Sequence, residues 1–386
     1  MNDDLGAVIA TSSDTQATST VRTVLVLGGY GFFGHRIATA LASETGIRLL
    51  VGGRNAARAK STASALGLPS SQGVTIDARG TNFARELAEL GVNLLIHTAG
   101  PFQGQDYRVA RGAIAAGCHY VDLADGRQFV TGIDALDVLA QDRGVSVISG
   151  ASSVPALSSA VVDRYSSRFA RLDSIEIGIS SGARSPGLAT VQGIFGYAGK
   201  PFQYWQDSRW ATAYGWLGLA RYRFPAPLGP RFLGACDIPD LDLFPKHYPS
   251  VRTVTFHAGF ASRIGHLLVW ALAYGVRAGI FSSLAPFASP LHRISLWIEP
   301  LVSDQGGMFV RLRGLGADEQ RLDVSWHLLA RRNHGPHIPC GAAIALSRKL
   351  IRGTKLPAGA MPCIGLLSVE EYLEPLRGLD IRECAE

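Results

Sequence analysis

The residues best placed to do chemistry here are glycines. Gly28, Gly29, Gly31 and Gly34 follow the apolar run Val24-Leu25-Val26-Leu27, with Tyr30, Phe32 and Phe33 between them. Ile37, Ala38 and Leu41 then recur at helical spacing. Strand, tight glycine turn and helix in this order form an anion cradle. The glycines let the chain reverse and let N–H groups approach a pyrophosphate. The helix aims its partial positive end at the same anion. A Gly-x-Gly-x-x-Gly turn can also bind nothing. Here it opens the first regular unit, and a second strand-like run, Ile47–Val51, follows it, so a dinucleotide site is expected.

That second run ends in Gly52-Gly53-Arg54-Asn55. A site for NAD usually offers a carboxylate there for the ribose 2′-hydroxyl, whereas a site for NADP places an arginine near the 2′-phosphate. No Asp or Glu is present, and Arg54 is. A charge-assisted hydrogen bond contributes about 1.5–3 kcal/mol. Asn55 would add a neutral bond, and Arg58 and Lys60 enlarge the positive field. NADP (NADPH) is therefore the expected cofactor. Asp77, ending a third run, is read as accepting from the adenine amino group or as a helix cap. Thr98-Ala99-Gly100-Pro101, after a fourth run, is a small loop against which the dinucleotide backbone can lie.

The candidates for proton handling sit beyond the fourth run. Asp122, at the end of Cys118-His119-Tyr120-Val121-Asp122, is the first choice for orienting substrate or exchanging a proton. His119 and Asp125 come next, then His334 and His337. Each has a plain alternative: Asp122 as a helix cap, His119 as a core histidine, His334 as a loop residue. No tyrosine has Lys four positions on; Tyr197-Ala198-Gly199-Lys200 is one residue short. No metal array such as His-Glu-x-x-His occurs, and no metal is expected. Tyrosine-assisted carbonyl reduction and metal-assisted hydride transfer both lose weight. Hydride transfer governed by positioning remains, and alignment of two reactants can lower a barrier by roughly 7–11 kcal/mol.

The elements that must position these residues alternate between about Arg22 and Gly150. Strands are expected at Thr23–Leu27, Ile47–Val51, Gly73–Ile76, Asn93–His97, His119–Leu123 and Val145–Ser149. Helices are expected at 33–43, 56–66, 83–90, 107–116 and 129–143. This predicts an α/β chain with a Rossmann doubly wound parallel sheet. A second α+β domain on a partly antiparallel sheet follows. It is introduced by a helix over 156–168 and a strand at Ser174–Ile179. Val251–His257 follows as a strand, and Met308–Leu315 with Arg321–Leu329 as a hairpin. The Pro- and aromatic-rich span Lys200–Pro249 reads as irregular and as a pocket lining, and the Trp, Tyr and Phe residues from Phe195 to Phe260 fit a bulky or apolar small-molecule substrate. The expected domains are a flexible tail at 1–20, the Rossmann domain at 21–152, the α+β domain at 153–340, and closing helices at 341–386 that pack back on the first domain.

Composition bounds the rest. The chain has 386 residues, 47% hydrophobic and 18% charged, with net charge +6. That length suits two domains. The cations are scattered, so no nucleic-acid partner is expected. Five cysteines lie far apart with no Cys-x-x-Cys pair, which fits a reduced, cytoplasmic setting. Met1 to about Thr20 lacks the basic start and apolar core of a signal peptide. The apolar run His266–Phe287 contains Arg277 and is broken by Gly, Ser and Pro. A buried helix or a dimer contact is its first reading, membrane-surface contact the lesser one, and a homodimer is the expected assembly.

Several of these motifs together resemble the saccharopine dehydrogenase-like NADP-binding family. They are Gly28–Gly34, Gly53-Arg54-Asn55, Thr98–Phe102, Gly117–Asp122, Gly150–Pro155 and His334–Cys340. The resemblance implies a Rossmann domain, an α+β domain, an active cleft between them, and hydride transfer, often at a C–N bond. This chain departs from the family pattern at Asp125-Gly126-Arg127 and at Ser152–Leu157, where amino-acid substrates would be recognised. The expected function is an NADP(H)-dependent oxidoreductase acting on an imine or another polarised double bond. The alternatives are an enoyl reductase for a lipid-like or carrier-bound substrate and a non-catalytic NADP-sensing or scaffold module.

Overall fold

In the computed structural model, residues 22–182, 188–298 and 302–385 are described; the tail expected at 1–20 lies outside them. The first sheet is built from β1 (Thr23–Leu27), β2 (Arg48–Gly53), β3 (Gly73–Thr75), β4 (Leu94–His97), β5 (His119–Asp122) and β6 (Ser146–Ser149). A late strand, β15 (Gly359–Pro362), joins its edge, giving the order β15-β6-β5-β4-β1-β2-β3, parallel throughout. Every residue of β1 is buried, because helices cover both faces of the sheet. Those helices are α1 (Phe32–Leu41), α2 (Ala56–Ala65), α3 (Phe83–Glu89), α4 (Arg108–Ala115), α5 (Arg127–Thr131) and α6 (Asp137–Asp142). The single helix expected at 129–143 is thus two, with Gly132 ending α5 and a 3₁₀ turn at Ile133–Leu136 between them.

A π-turn at Ser153–Leu157 and α7 (Ser158–Ser166) lead into the second sheet. Its central strand, β7 (Phe169–Ser181), is longer than the expected Ser174–Ile179. It pairs in parallel with β12 (Thr253–Phe260) and antiparallel with β13 (Gly306–Gly316). The hairpin partner β14 (Arg321–Ala330) follows at the expected place. The span Lys200–Pro249 is regular, contrary to expectation. It holds β8 (Pro201–Gln206), β9 (Arg209–Tyr214), β10 (Ala220–Arg223) and β11 (Pro230–Ala235). Its aromatic residues pack across strands, as Tyr222 does on Phe309 with centroids 3.6 Å apart. Around this sheet lie α8 (Leu188–Tyr197), α9 (Asp240–His247), α10 (Arg263–Arg277) and α11 (Ala288–Ile298).

The C-terminal segment serves both sheets and is not purely helical. α12 (Gly341–Ile351) packs on α1, and Arg348 Nε donates to Glu44 at 2.7 Å. After β15 and α13 (Val369–Leu373), β16 (Ile381–Ala385) pairs with β14 in the second sheet. One apolar core runs from Val24 and Ile37 through Leu157 and Ala343 to Ile177 and Trp326. The two sheets therefore share buried surface.

Asp240 opens α9 inside this core, with no solvent exposure. Ser158 donates to its Oδ1, yet burial raises the carboxyl from 3.8 to about 7. Burial likewise raises Asp122 from 3.8 to about 6. Across that window the folded chain holds a proton that the unfolded chain has released, so stability falls as pH rises. Asp240→Asn removes one such proton. Thermal midpoints measured from about pH 5 to about pH 8 should fall less steeply for the variant, by at least about 1 kcal/mol of stability across the range.

Candidate cofactor groove and active cleft

The glycine turn is held by its own backbone. Gly28 lies at φ +82° and donates to Gly52 O at 2.8 Å. Gly29 donates to Val26 O at 3.1 Å and Gly31 to Gly28 O at 2.7 Å. A Cβ at Gly34 would stand 2.2 Å from Gly28 O and 2.6 Å from Thr98 Oγ1, so only glycine lets α1 start this close to β4. Gly31, the N-cap of α1, makes no side-chain cap. The first-turn N–H groups are left for an anion.

At the end of β2, Tyr30 lies over Gly53, where a Cβ would meet its hydroxyl at 2.5 Å. The Tyr30 hydroxyl accepts from Asn55 N–H at 3.1 Å, and the Arg58 guanidinium sits 4.6 Å from the ring centroid. Asn55 Oδ1 accepts from Arg58 N–H at 2.9 Å. Asn55 is thus the cap of α2, its Oδ1 turned to that helix. Arg54 lines a groove of about 750 Å³, and so do Gly28, Tyr30, Asp77, Ala99, Gly100 and Pro101. Asp77 Oδ1 accepts from Arg79 N–H at 3.0 Å, which fixes a local turn. Arg79 is a groove cation that the sequence reading missed. Arg108 is paired with Asp106 at 2.7 Å and holds that carboxyl down at about 2. Arg54 and Arg79 have no such carboxylate partner among the described residues.

The groove passes Gly100, Pro101 and Gln103 into a cavity of about 280 Å³ between the two sheets. Thr98, Phe33 and Asp125 line it from the first domain, with Tyr197, Cys236 and Asp237 facing them from the second. A neighbouring cavity of about 220 Å³ takes in Phe32. Trp216, Phe256 and Phe260 make the main wall apolar. Gln103 Nε2 donates to Asp125 Oδ1 at 3.1 Å. Asp125 is exposed into the cleft, but the surrounding walls desolvate it and raise its carboxyl. Burial also raises Asp237, against the pull of Arg127. The Tyr197 hydroxyl bonds to the Cys236 thiol, and burial pushes Tyr197 well above the usual phenol range and Cys236 up to about 12. Cys236 is therefore a thiol, not a thiolate.

Two expected acid–base candidates lie elsewhere. His119 begins β5, at the sheet end away from the cleft, and its Nδ1 accepts from Ser146 N–H at 3.1 Å. Asp122 has no exposure and lines neither cavity. Its Oδ1 accepts from Gly150 N–H at 2.8 Å, Ala124 N–H at 2.9 Å and the Ser149 hydroxyl at 3.0 Å. It ties the carboxyl ends of β5 and β6 together. His334 accepts from Asp380 N–H at 2.8 Å, and neither it nor His337 lines the cleft. Of the candidates, Asp125 reaches the cavity.

Residues 24–148 match the family model described as the saccharopine dehydrogenase NADP binding domain. The match spans the first sheet from β1 to β6. Across the whole chain the fold is similar to histidine-tagged apo saccharopine dehydrogenase (L-Glu forming) from Saccharomyces cerevisiae. The TM-score is 0.64 at 14% identity, over 95% of this chain and 100% of that one. The amine dehydrogenase of Mycobacterium smegmatis aligns with TM-score 0.49 at 11% identity, over 89% and 95% of the two chains. No curated protein sequence matches the chain. The chain thus has a saccharopine dehydrogenase-like fold, and its first domain resembles the NADP-binding domain of that family.

In this saccharopine dehydrogenase-like chain one cation sets the second domain over the first. Arg127 of α5 is only 9% exposed. Its Nε donates to Asp242 at 2.6 Å and its Nη1 to Asp237 at 2.8 Å, while Nη2 reaches the other Asp242 oxygen. Sequence reading saw Arg127 only as a departure from the family pattern. Its partners lie more than a hundred residues away, so nothing local marks them. Arg127→Met would leave two carboxylates facing each other without a cation. Urea unfolding should show a loss of roughly 2–4 kcal/mol, toward the lower side for a buried pair because the carboxylates keep 29% exposure.

Proposed function

We propose that this chain is an NADP(H)-dependent oxidoreductase that transfers hydride to or from a C=N bond of a small-molecule substrate. The observation that carries the reading is the junction at Gly100, Pro101 and Gln103, where a cationic groove beside the glycine turn opens into an apolar cleft holding a carboxyl. The residues present fit a dinucleotide: the glycine turn and the start of α1 would hold its pyrophosphate, and Arg54 and Arg79 would hold its adenosine phosphate. When bound, it would supply or accept the hydride at the cleft. The chain's own residues do the rest. The walls exclude water and align the substrate. Asp125 faces the cationic nitrogen of an iminium and stabilises its charge. Its raised carboxyl also brings it nearer to proton exchange at neutral pH. Tyr197 stays protonated and serves as a hydrogen-bond donor. Trp216, Phe256 and Phe260 favour a substrate with apolar bulk. An adjoining apolar cavity of about 170 Å³ supports a second reading, in which the reduced bond is C=C on a lipid-like substrate. Faster turnover of enoyl substrates than of imines would select it.

Two variants test the assignment. Arg54→Glu should weaken NADPH binding by at least about tenfold in calorimetry and leave NADH binding nearly unchanged, because one charge-assisted bond is replaced by repulsion. Asp125→Asn should lower kcat by about a hundredfold with NADPH affinity intact. Tight NADPH binding without turnover of any C=N, C=O or C=C substrate would instead make the chain a sensing or scaffold module.

A further inference from the structure

Helix α10 is apolar on two faces. His266, Val269 and Ala273 are buried against the second sheet. Ile264, Leu267, Leu268 and Tyr274, also at helical spacing, face out, with Ile264 82% exposed. The neighbouring segment continues this surface: Ile280, Phe287, Ile294 and Trp297 are exposed, Trp297 by 88%. Such a continuous apolar surface is uncommon on a chain that meets only water.

Charge distinguishes the occupants of this face. No Asp or Glu occurs between Asp242 and Glu299. Arg263, Arg277 and Arg293 are exposed around the apolar stripe. A two-fold contact with a second copy would set these arginines against their own counterparts, with no carboxylate on α10 or α11 to pair them. An anionic lipid surface complements them, and exposed Trp and Tyr side chains suit the headgroup boundary. Among the described residues no helix is long and apolar enough to cross a membrane, so the face would lie on the bilayer. Leu268 and Ile294 belong both to this face and to the lining of the 170 Å³ cavity, which shares Ser181, Ile194 and Phe260 with the active cleft. Apolar surface is therefore continuous from the outer face inward.

We propose that the α10–α11 face docks the chain on the surface of an anionic bilayer. This goes beyond the oxidoreductase reading and does not depend on it. The test is co-sedimentation of the full chain with phosphatidylcholine vesicles, with and without phosphatidylserine, alongside NADPH calorimetry and sedimentation velocity. Binding to the phosphatidylserine vesicles that weakens with salt is expected. Ile264→Glu with Trp297→Glu should lower the partition coefficient by about tenfold or more, with the thermal midpoint unchanged. Arg263→Gln with Arg293→Gln should remove the preference for phosphatidylserine. No vesicle binding by the wild type, or equal binding by the glutamate variant, overturns the proposal. So does a wild-type dimer that the glutamate variant dissociates, without vesicle binding. NADPH affinity reports separately on the cofactor reading.

Discussion

The Arg127 guanidinium, held between Asp237 and Asp242, is the constraint on which the cleft depends. It comes from the helix that follows β5, and its partners come from the turn between β11 and α9 and from α9 itself. A planar fork with fixed donor directions sets position and angle together, which a lysine would not do. Partial burial makes the contact matter. The ions have given up water, so the arrangement in which each is satisfied is strongly preferred over a domain displacement that parts them.

The cleft this clamp defines is apolar with a few polar groups. Low polarity raises Asp125 and Asp237, keeps Cys236 a thiol and keeps Tyr197 a phenol. It also strengthens whatever charge interaction a substrate makes there. At the first sheet's carboxyl ends, the Ser149 hydroxyl and Gly150 N–H donate to Asp122 Oδ1 and hold β5 to the end of β6, while Ala124 N–H donates to the same oxygen and fixes the turn after β5. The floor under the Gly100–Pro101 loop is further fixed by Tyr120 and His97, whose hydroxyl and Nδ1 are 2.9 Å apart; burial takes His97 down to about 4, so it is neutral.

Periodicity and glycine placement made the first domain legible. Thr23–Leu27 and Ile47–Val51 show as strands and Gly28–Gly34 as a turn, because burial on both faces demands unbroken apolar strands and the close approach at Gly28 and Gly34 admits only glycine. The parallel sheet and the hairpin of β13 and β14 are read from such local patterns. Lys200–Pro249 was not legible: its strands carry polar and aromatic residues whose partners are distant in sequence, so their pairing leaves no local signature. β15 and β16 were missed for the same reason, being short strands that exist because an open sheet edge was waiting for each.

What the sequence determined by itself is the anion cradle, the absence of a carboxylate beside Arg54, and the alternation that builds a doubly wound sheet. All of these are properties of neighbouring residues. Tertiary structure alone decided which polar groups meet the cleft. Asp122 and Asp125 are three residues apart, yet one is sealed as a tie between strands and the other opens into the cavity. Tyr197, Cys236 and Asp237 join Asp125 from another domain. Proximity across a domain boundary depends on packing and on the Arg127 clamp, and no spacing along the chain encodes it.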